Sequence, residues 1–376
     1  MSDNSLLIRE VVYEDCESVG ELMQRNGLIE KWSPDRWIGL WQDNPAMPKD
    51  GSFPKGWVLE HCGNVVGYLG NIPLHYHYND KYVKVAAARG LAVDGLFRSH
   101  SLRLTAAFFS QRNVDLLLNT SANKTVASVF EFCKAQKIPS PECDVALYWI
   151  NNSRQFASSG LRKKYCVSSF LSSIGGMLLG SGIYLEGWLR KRRPVGTGTG
   201  YDIDIIDPNS VGVEFDELWQ QTLRERSNCI IANRSAQSLR WHFGHGAAGG
   251  RGVKFVCARR AGKLVGYAVL TRENSDEIGL MRSRISDFIA QRDEPDLIDA
   301  LLLAAFQQAS RDGSYMTEII GFPEVIRERV MAGRAHSRLL PSWPFWQKLI
   351  GSVLCNTIIS HESAWYASSF DGDASL

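Results

Sequence analysis

Two nine-residue segments, GNVVGYLGN at 63–71 and GKLVGYAVL at 262–270, stand at the same place in two successive runs of the same local patterns. That repetition limits the chain to architectures in which one supersecondary unit is built twice. In the first run, Leu6–Val12 reads as a strand, and Tyr13–Asn26 carries Val19, Leu22 and Met23 at helical spacing. A second helix is predicted over Pro34–Gln42 from Trp37, Leu40 and Trp41, then a Pro- and Gly-rich loop from Asn44 to Lys55. Trp57–Cys62 and Val65–Ile72, separated by Gly63-Asn64, read as a hairpin whose second strand continues to Tyr78. Asn79-Asp80 turns the chain into a third strand, Tyr82–Val93. Helix Arg98–Arg112, the buried strand Val114–Asn119 and helix Asn123–Lys137 follow, and Ile138–Ile150 can supply one or two closing strands.

The second run repeats that order. Strand Tyr201–Ile206 precedes helices Phe215–Arg226 and Ser235–Phe243, with Ser235 as N-cap. Strands Val253–Arg259, Leu264–Thr271 and Gly279–Ile289 come next, the first two joined by Ala261-Gly262. Helix Asp296–Arg311, strand Tyr315–Ile320 and helix Glu324–Gly333 complete the unit. The fold class is therefore α/β (α+β), with two tandem modules, each a mixed, mostly antiparallel sheet flanked by helices. The expected boundaries are residues 1–160, a basic amphipathic linker 161–200, and 201–376, the linker marked by the Arg190–Arg193 cluster and the GTGTG run at Gly196–Gly200.

A length of 376 residues suits two cores, and 42 Lys and Arg against 40 Asp and Glu leave a formal charge of +2, so no general attraction to nucleic acid is expected. Eight cysteines are scattered singly without CxxC pairs, which reads as reduced thiols mostly in the core and no metal site. The N-terminus lacks the basic start and apolar stretch of a secretory signal, pointing to a cytoplasmic address. Ser168–Leu189 is uncharged but for Glu186, rich in Gly and Ser, and barely the roughly 20 apolar residues a membrane span needs. It reads as a helix packed on protein or lying at a membrane surface, giving peripheral contact with the inner face through residues 168–193.

The chemistry-bearing residues cluster around the end of the third strand. That strand finishes Leu91-Ala92-Val93, and the next loop reads Arg98-Ser99-His100-Ser101-Leu102-Arg103 before a helix. With the element order, this resembles the GNAT superfamily of acyl-CoA N-acyltransferases, where a Leu-x-Val strand end runs into a loop of form Arg/Gln-x-x-Gly-x-Gly/Ala. The resemblance implies that the amides after Val93 grip the diphosphate of acetyl-CoA or another acyl-CoA at a helix N-terminus. Ser101 and Arg103 replace the loop's two small residues. The resemblance also implies a bulged strand whose Ala92 or Val93 amide stabilises the thioester oxyanion. Asn119 and Asn123 match the segment beside the pantetheine arm, and Phe130 falls where many members carry a proton-donating Tyr. In the second half the corresponding loop holds Asp293 and Glu294, which oppose a diphosphate, so that copy is expected to shape the acceptor cleft without CoA.

Candidate bases are His75 and His77, on one face of a strand end, and Asp94. Each has a plain alternative: hydrogen-bonded rings at a strand end for the histidines, and turn formation with Gly95 for Asp94. Arg89, inside an apolar strand, is expected to find a carboxylate, phosphate or solvent. The run Trp241–Gly246 reads as a helix end rather than a ligand pair, and Trp365–Asp373 either lines the cleft or forms a loose acidic tail. Two functional readings follow. One is transfer of an acyl group to a primary amine on a small molecule or glycan precursor; the other is a non-catalytic scaffold with a degenerate CoA site.

Overall fold

The computed structural model describes residues 6–29, 31–140, 142–165, 169–196, 200–244 and 252–376. The first module opens with β1 (Leu6–Glu10), α1 (Cys16–Arg25) and α2 (Pro34–Gly39). It continues through β2 (Gly56–His61), β3 (Asn64–Tyr78), β4 (Lys81–Val93), α3 (Ser101–Phe109), β5 (Leu116–Asn119), α4 (Lys124–Phe132) and β6 (Gln136–Lys137). β1 to β4 form an antiparallel meander, and β5 joins β4 in parallel. The β2–β3 turn is centred on Cys62 and Gly63, at φ 50° and 81°, one residue earlier than Gly63-Asn64. Asn79 and Asp80 turn β3 into β4 with φ 47° and 59°. Two successive left-handed residues match the twist of the flanking strands, which is why short polar or Gly-containing pairs sit there.

The second module repeats the plan after β7 (Val145–Ile150), α5 (Ser153–Tyr165) and α6 (Ser169–Leu189). Its elements are β8 (Asp202–Ile206), α7 (Val213–Glu225), β9 (Ile231–Ala232), α8 (Ala236–Phe243), β10 (Lys254–Arg260), β11 (Lys263–Arg272) and β12 (Arg282–Ala290). Then come α9 (Pro295–Arg311), β13 (Met316–Ile320), α10 (Glu324–Ala332), β14 (His336–Leu339), β15 (Trp346–Leu349) and α11 (Asn356–Ile359). Ser235 caps α8 by accepting from the Ser238 amide, as its sequence position predicts.

The closing strands depart from the expected plan. β7, read from sequence as closing the first sheet, lies between β13 and β14 of the second; β15 lies between β5 and β6 of the first. Each closing pair thus takes one strand from each half: β15 with β6, β14 with β7. The exchange covers the otherwise open edges of β5 and β13, whose residues are fully buried, with main-chain hydrogen bonds. The halves cannot separate without breaking both ladders.

Two hydrophobic clusters lie on opposite faces of the first sheet. Val19 and Leu22 of α1 meet Tyr68 and Ala92 on one face, while Leu104 and Phe108 of α3 meet Leu69 and Val93 on the other. Strand alternation assigns neighbours 68 and 69, and 92 and 93, to opposite sides. Of the described cysteines, all free, Cys16, Cys143 and Cys257 are buried, Cys133 and Cys229 half-buried, and Cys62 and Cys355 exposed; core packing thus holds for only three, and Cys166 lies outside the described residues.

Candidate active site

An isolated glycine in an apolar strand is the local signal that places the site. β3 and β4 pair Gly67 with Val93 and Tyr68 with Ala92, then Gly70 with Arg89, so Gly90 and Leu91 together face Leu69. This is a β-bulge, and Gly90 takes φ +68°, a conformation that strains residues bearing a Cβ. The bulge stands at Gly90–Leu91; Ala92 and Val93, expected to carry it, keep their β3 partners.

At the same level the sheet opens. The parallel ladder between β4 and β5 runs from Val85–Leu116 to Ala87–Leu118 and stops there. Beyond it the Asn119 side-chain Nδ2 donates to the Ala88 carbonyl at 3.1 Å, while its side-chain Oδ1 is buried with no hydrogen-bond partner. A buried orphan acceptor is costly unless a donor arrives, and an amide N–H of a pantetheine arm is a fitting one. Asn123, by contrast, spends its side-chain oxygen capping α4 through the Thr125 and Val126 amides, at 3.1 and 3.0 Å.

After Val93 the chain winds through a 3-10 turn, Gly95–His100, directly into α3. Arg98, Ser99, Leu102 and Arg103 are exposed around this helix start, with His100 and Ser101 half-buried. Two exposed cations, Arg98 and Arg103, thus flank the start of α3, where helical amides are free to meet an anion. Asp94 does not oppose that charge. Arg25 grips it at 2.9 and 2.8 Å, Asn26 adds a bond of 3.0 Å, and the Arg25 guanidinium holds its carboxyl below the usual range. Asp94 is thus a structural ion pair and turn residue.

The two histidines are not brought to this corner. His75 and His77 lie six and eight positions past Leu69, roughly 20 and 26 Å along the strand. Burial lowers the pKa of both, His77 to about 4, and His77 packs between Tyr82 and Trp219. Phe130 is buried against Phe108 and Phe109 and carries no exchangeable proton.

On the α1–α2 face a cavity meets the bulge, lined by Met23, Trp32, Trp37, Tyr68, Arg89 and Gly90. The Tyr68 hydroxyl accepts from Trp37 at 3.1 Å, and burial pushes its pKa up to about 12. On the far side the sequence left Trp365–Asp373 as a cleft lining or a loose tail and did not point to Thr120 and Ser121 as its partners. The C-terminal segment is buried rather than loose: Asp373 accepts from the Thr120 amide at 2.9 Å and from the Ser121 hydroxyl, and its carbonyl takes the Arg89 guanidinium at 3.0 Å. Arg89, expected to find a carboxylate, phosphate or solvent, thus meets a main-chain carbonyl.

The second module has a bulge near the corresponding place, without a left-handed glycine, but a filled opening. β11 and β12 slip at Ser286, and the ladder to β13 ends at Ile285. Beyond it, Phe322 donates to the Ala367 carbonyl at 2.7 Å, Ser368 bridges to Gly321, and the Tyr366 hydroxyl donates to the Phe288 carbonyl. Asp293 and Glu294, at the loop, are ion-paired with Arg226 and Arg260. His242 is enclosed by Phe243 and Phe370 with Nε2 2.6 Å from the Ser375 hydroxyl, and His245 lies outside the described residues.

No family model and no curated protein matches the sequence. Solved structures do resemble it. A GCN5-related N-acetyltransferase from Anabaena variabilis aligns over 92% of this chain and 73% of its own, at 9% identity and TM-score 0.54. A probable N-acyltransferase of Enterococcus faecalis gives 92%, 72%, 9% and 0.55 in the same order. N-myristoyltransferase of Saccharomyces cerevisiae with bound myristoyl-CoA gives 92%, 79%, 11% and 0.53. With two bulged and splayed sheets in one chain, these alignments identify the fold as a tandem pair of GNAT modules.

Proposed function

We propose that this protein transfers an acyl group from an acyl-CoA thioester to a primary amine, the first module holding the donor. The observation that carries the reading is the opening between β4 and β5, with the Gly90 bulge and the orphan Asn119 oxygen at its edge and the Arg98–Arg103 helix start at its mouth. CoA, when bound, supplies the activated carbonyl and the leaving thiolate. Arg98, Arg103 and the first-turn amides of α3 hold the diphosphate, and Asn119 takes a pantetheine amide. The edge of β4 beyond the end of the β5 ladder orients the thioester, and the bulge offers an amide to the developing oxyanion.

The acceptor, a small molecule or glycan precursor, enters from the α1–α2 face through the cavity beside Tyr68 and Arg89. Direct attack needs no covalent enzyme intermediate. A thiolate of ordinary thiol basicity, pKa ~8.5, leaves without a proton donor, so Phe130 does not preclude turnover. Asp373, held by Thr120 and Ser121 next to the opening, is the carboxylate we assign to take the proton that the acceptor ammonium gives up before its nitrogen attacks and the C–S bond breaks. The filled second opening and its paired acidic loop support the reading that the second module binds no CoA and shapes the acceptor cleft.

Thiol release from acetyl-CoA and longer acyl-CoAs, measured over a panel of primary amines, tests the proposal. Amine-dependent release is expected, with about fivefold more acyl-CoA needed by Asn119→Leu. Phe130 favours a second reading, a binding module without turnover, and CoA affinity with no release for any amine decides for it.

A further inference from the structure

Helix α6 is packed the wrong way round for a helix of a water-soluble core. Ser172, Gly176 and Gly180 face inward: a Cβ added at Gly176 would stand 2.9 Å from the Arg154 carbonyl oxygen, and one at Gly180 2.6 Å from the Arg154 Cα. Ser172 is fully buried and accepts from Arg162 at 2.9 Å. Close contact with α5 thus occupies the glycine side. The bulky side points outward: at about 100° per residue, Ile174, Met177, Leu178, Tyr184, Leu185 and Trp188 share one arc of about 120°. Leu178 is 77% exposed, Tyr184 67% and Trp188 66%. No charged residue falls in that arc, and Glu186, outside it, is ion-paired with Arg190 and Arg192.

This outer face runs about 30 Å, the length of a 21-residue helix. Exposed Lys163 and Lys164 stand at the end of α5, which leads into α6, and exposed Lys191 and Arg193 follow its other end. No helix among the described residues is long and apolar enough to cross a membrane.

We infer that α6 is a docking helix for an anionic lipid surface, lying in the interfacial plane with its bulky arc among the acyl chains and its two basic ends on the headgroups. Tyr184 and Trp188 near the basic end suit the boundary between tails and headgroups. A second copy of the chain fits less well. Pairing α6 with itself, parallel or antiparallel, sets basic ends against basic ends, whereas anionic headgroups neutralise both. The inference is independent of acyl transfer.

Co-sedimentation of the full chain with vesicles of phosphatidylcholine, alone or mixed with phosphatidylglycerol, tests it at low and high salt. Binding is expected to the mixed vesicles and to weaken with salt. The double variant Leu178→Asp/Leu185→Asp, at two exposed positions, should lose at least about 100-fold in affinity, since burying each leucine contributes about 10-fold or more. Lys163→Ala/Lys164→Ala should lose about fivefold per charge and part of the salt dependence. Thermal melts and CoA affinity of these variants should match the parent, which separates docking from folding and from the acyl-transfer reading. Failure to bind mixed vesicles overturns the inference, as does undiminished binding by Leu178→Asp/Leu185→Asp. So does a dimer that this variant dissociates while vesicles capture neither form.

Discussion

One buried guanidinium in the core faces two carboxylates, and this imbalance makes stability depend on pH. Arg234, 1% exposed, makes paired bonds of 3.0 and 3.1 Å from Nε and 3.0 Å from Nη2 to Asp287, between the rings of Tyr366 and Phe370. Asp287 also accepts from Tyr267 at 2.9 Å. Asp371 stands farther off, 3.9 Å from Arg234, with Oδ2 bonded to the Ser368 amide and hydroxyl and Oδ1 unpartnered. Burial outweighs the help of Arg234, and the Asp371 carboxyl is pushed up to about 6. Because the native pKa lies above the unfolded value, folding favours the protonated form. That contribution is complete below about pH 4 and is lost as pH rises through about 6. A shift of about two units corresponds to roughly 3 kcal/mol. Asp371→Asn cannot titrate, so its unfolding free energy from urea melts should rise relative to the parent by up to that amount between about pH 4 and about pH 7. Asp287→Asn strips Arg234 of its main counter-charge and should cost about 3–5 kcal/mol at neutral pH. An Asp371→Asn midpoint that tracks the parent at every pH, or a benign Asp287→Asn, would refute this reading of the cluster.

Gly90→Val should cost about 1–2 kcal/mol, because a β-branched residue cannot hold φ +68° cheaply, and should abolish thiol release; retained turnover contradicts the role of the bulge. Asn119→Leu removes an orphan acceptor and one bond to Ala88, so stability should change little while CoA affinity falls about fivefold by calorimetry. His75→Ala and His77→Ala should leave the pH profile of turnover unchanged, given the roughly 20 Å that separates His75 from the bulge.

Local patterning made most of the fold legible. The meander from β2 to β4 follows from alternating apolar runs broken by turn-forming pairs, and it recurs around Ala261-Gly262. The strand exchange was not legible, because β7 pairs with residues about 170 positions away and nothing in VALYWI distinguishes one sheet edge from another. The helix α6 was legible despite its five glycines, which lower helix propensity, but that Gly176 and Gly180 are what let α5 approach was not. Within the site, the Arg98–Arg103 loop and Asn119 were visible as motif positions. The pairing of Thr120 and Ser121 with Asp373 was not, since Asp373, readable only as part of a cleft lining or a tail, arrives from more than 250 residues along the chain. Asp94 was readable as a turn, but its partner Arg25, on α1, was not.

The most direct test is calorimetric titration of the full chain with CoA, beside the double variant Arg98→Ala/Arg103→Ala, at low and high salt. The parent should bind CoA with an affinity that falls as salt rises, and the variant should bind about 100-fold more weakly with a flatter salt dependence, each charge-assisted contact contributing about 10-fold. Undetectable binding by the parent, or equal affinity in the variant, would contradict the assignment of the β4–β5 opening and the α3 helix start as a carrier site.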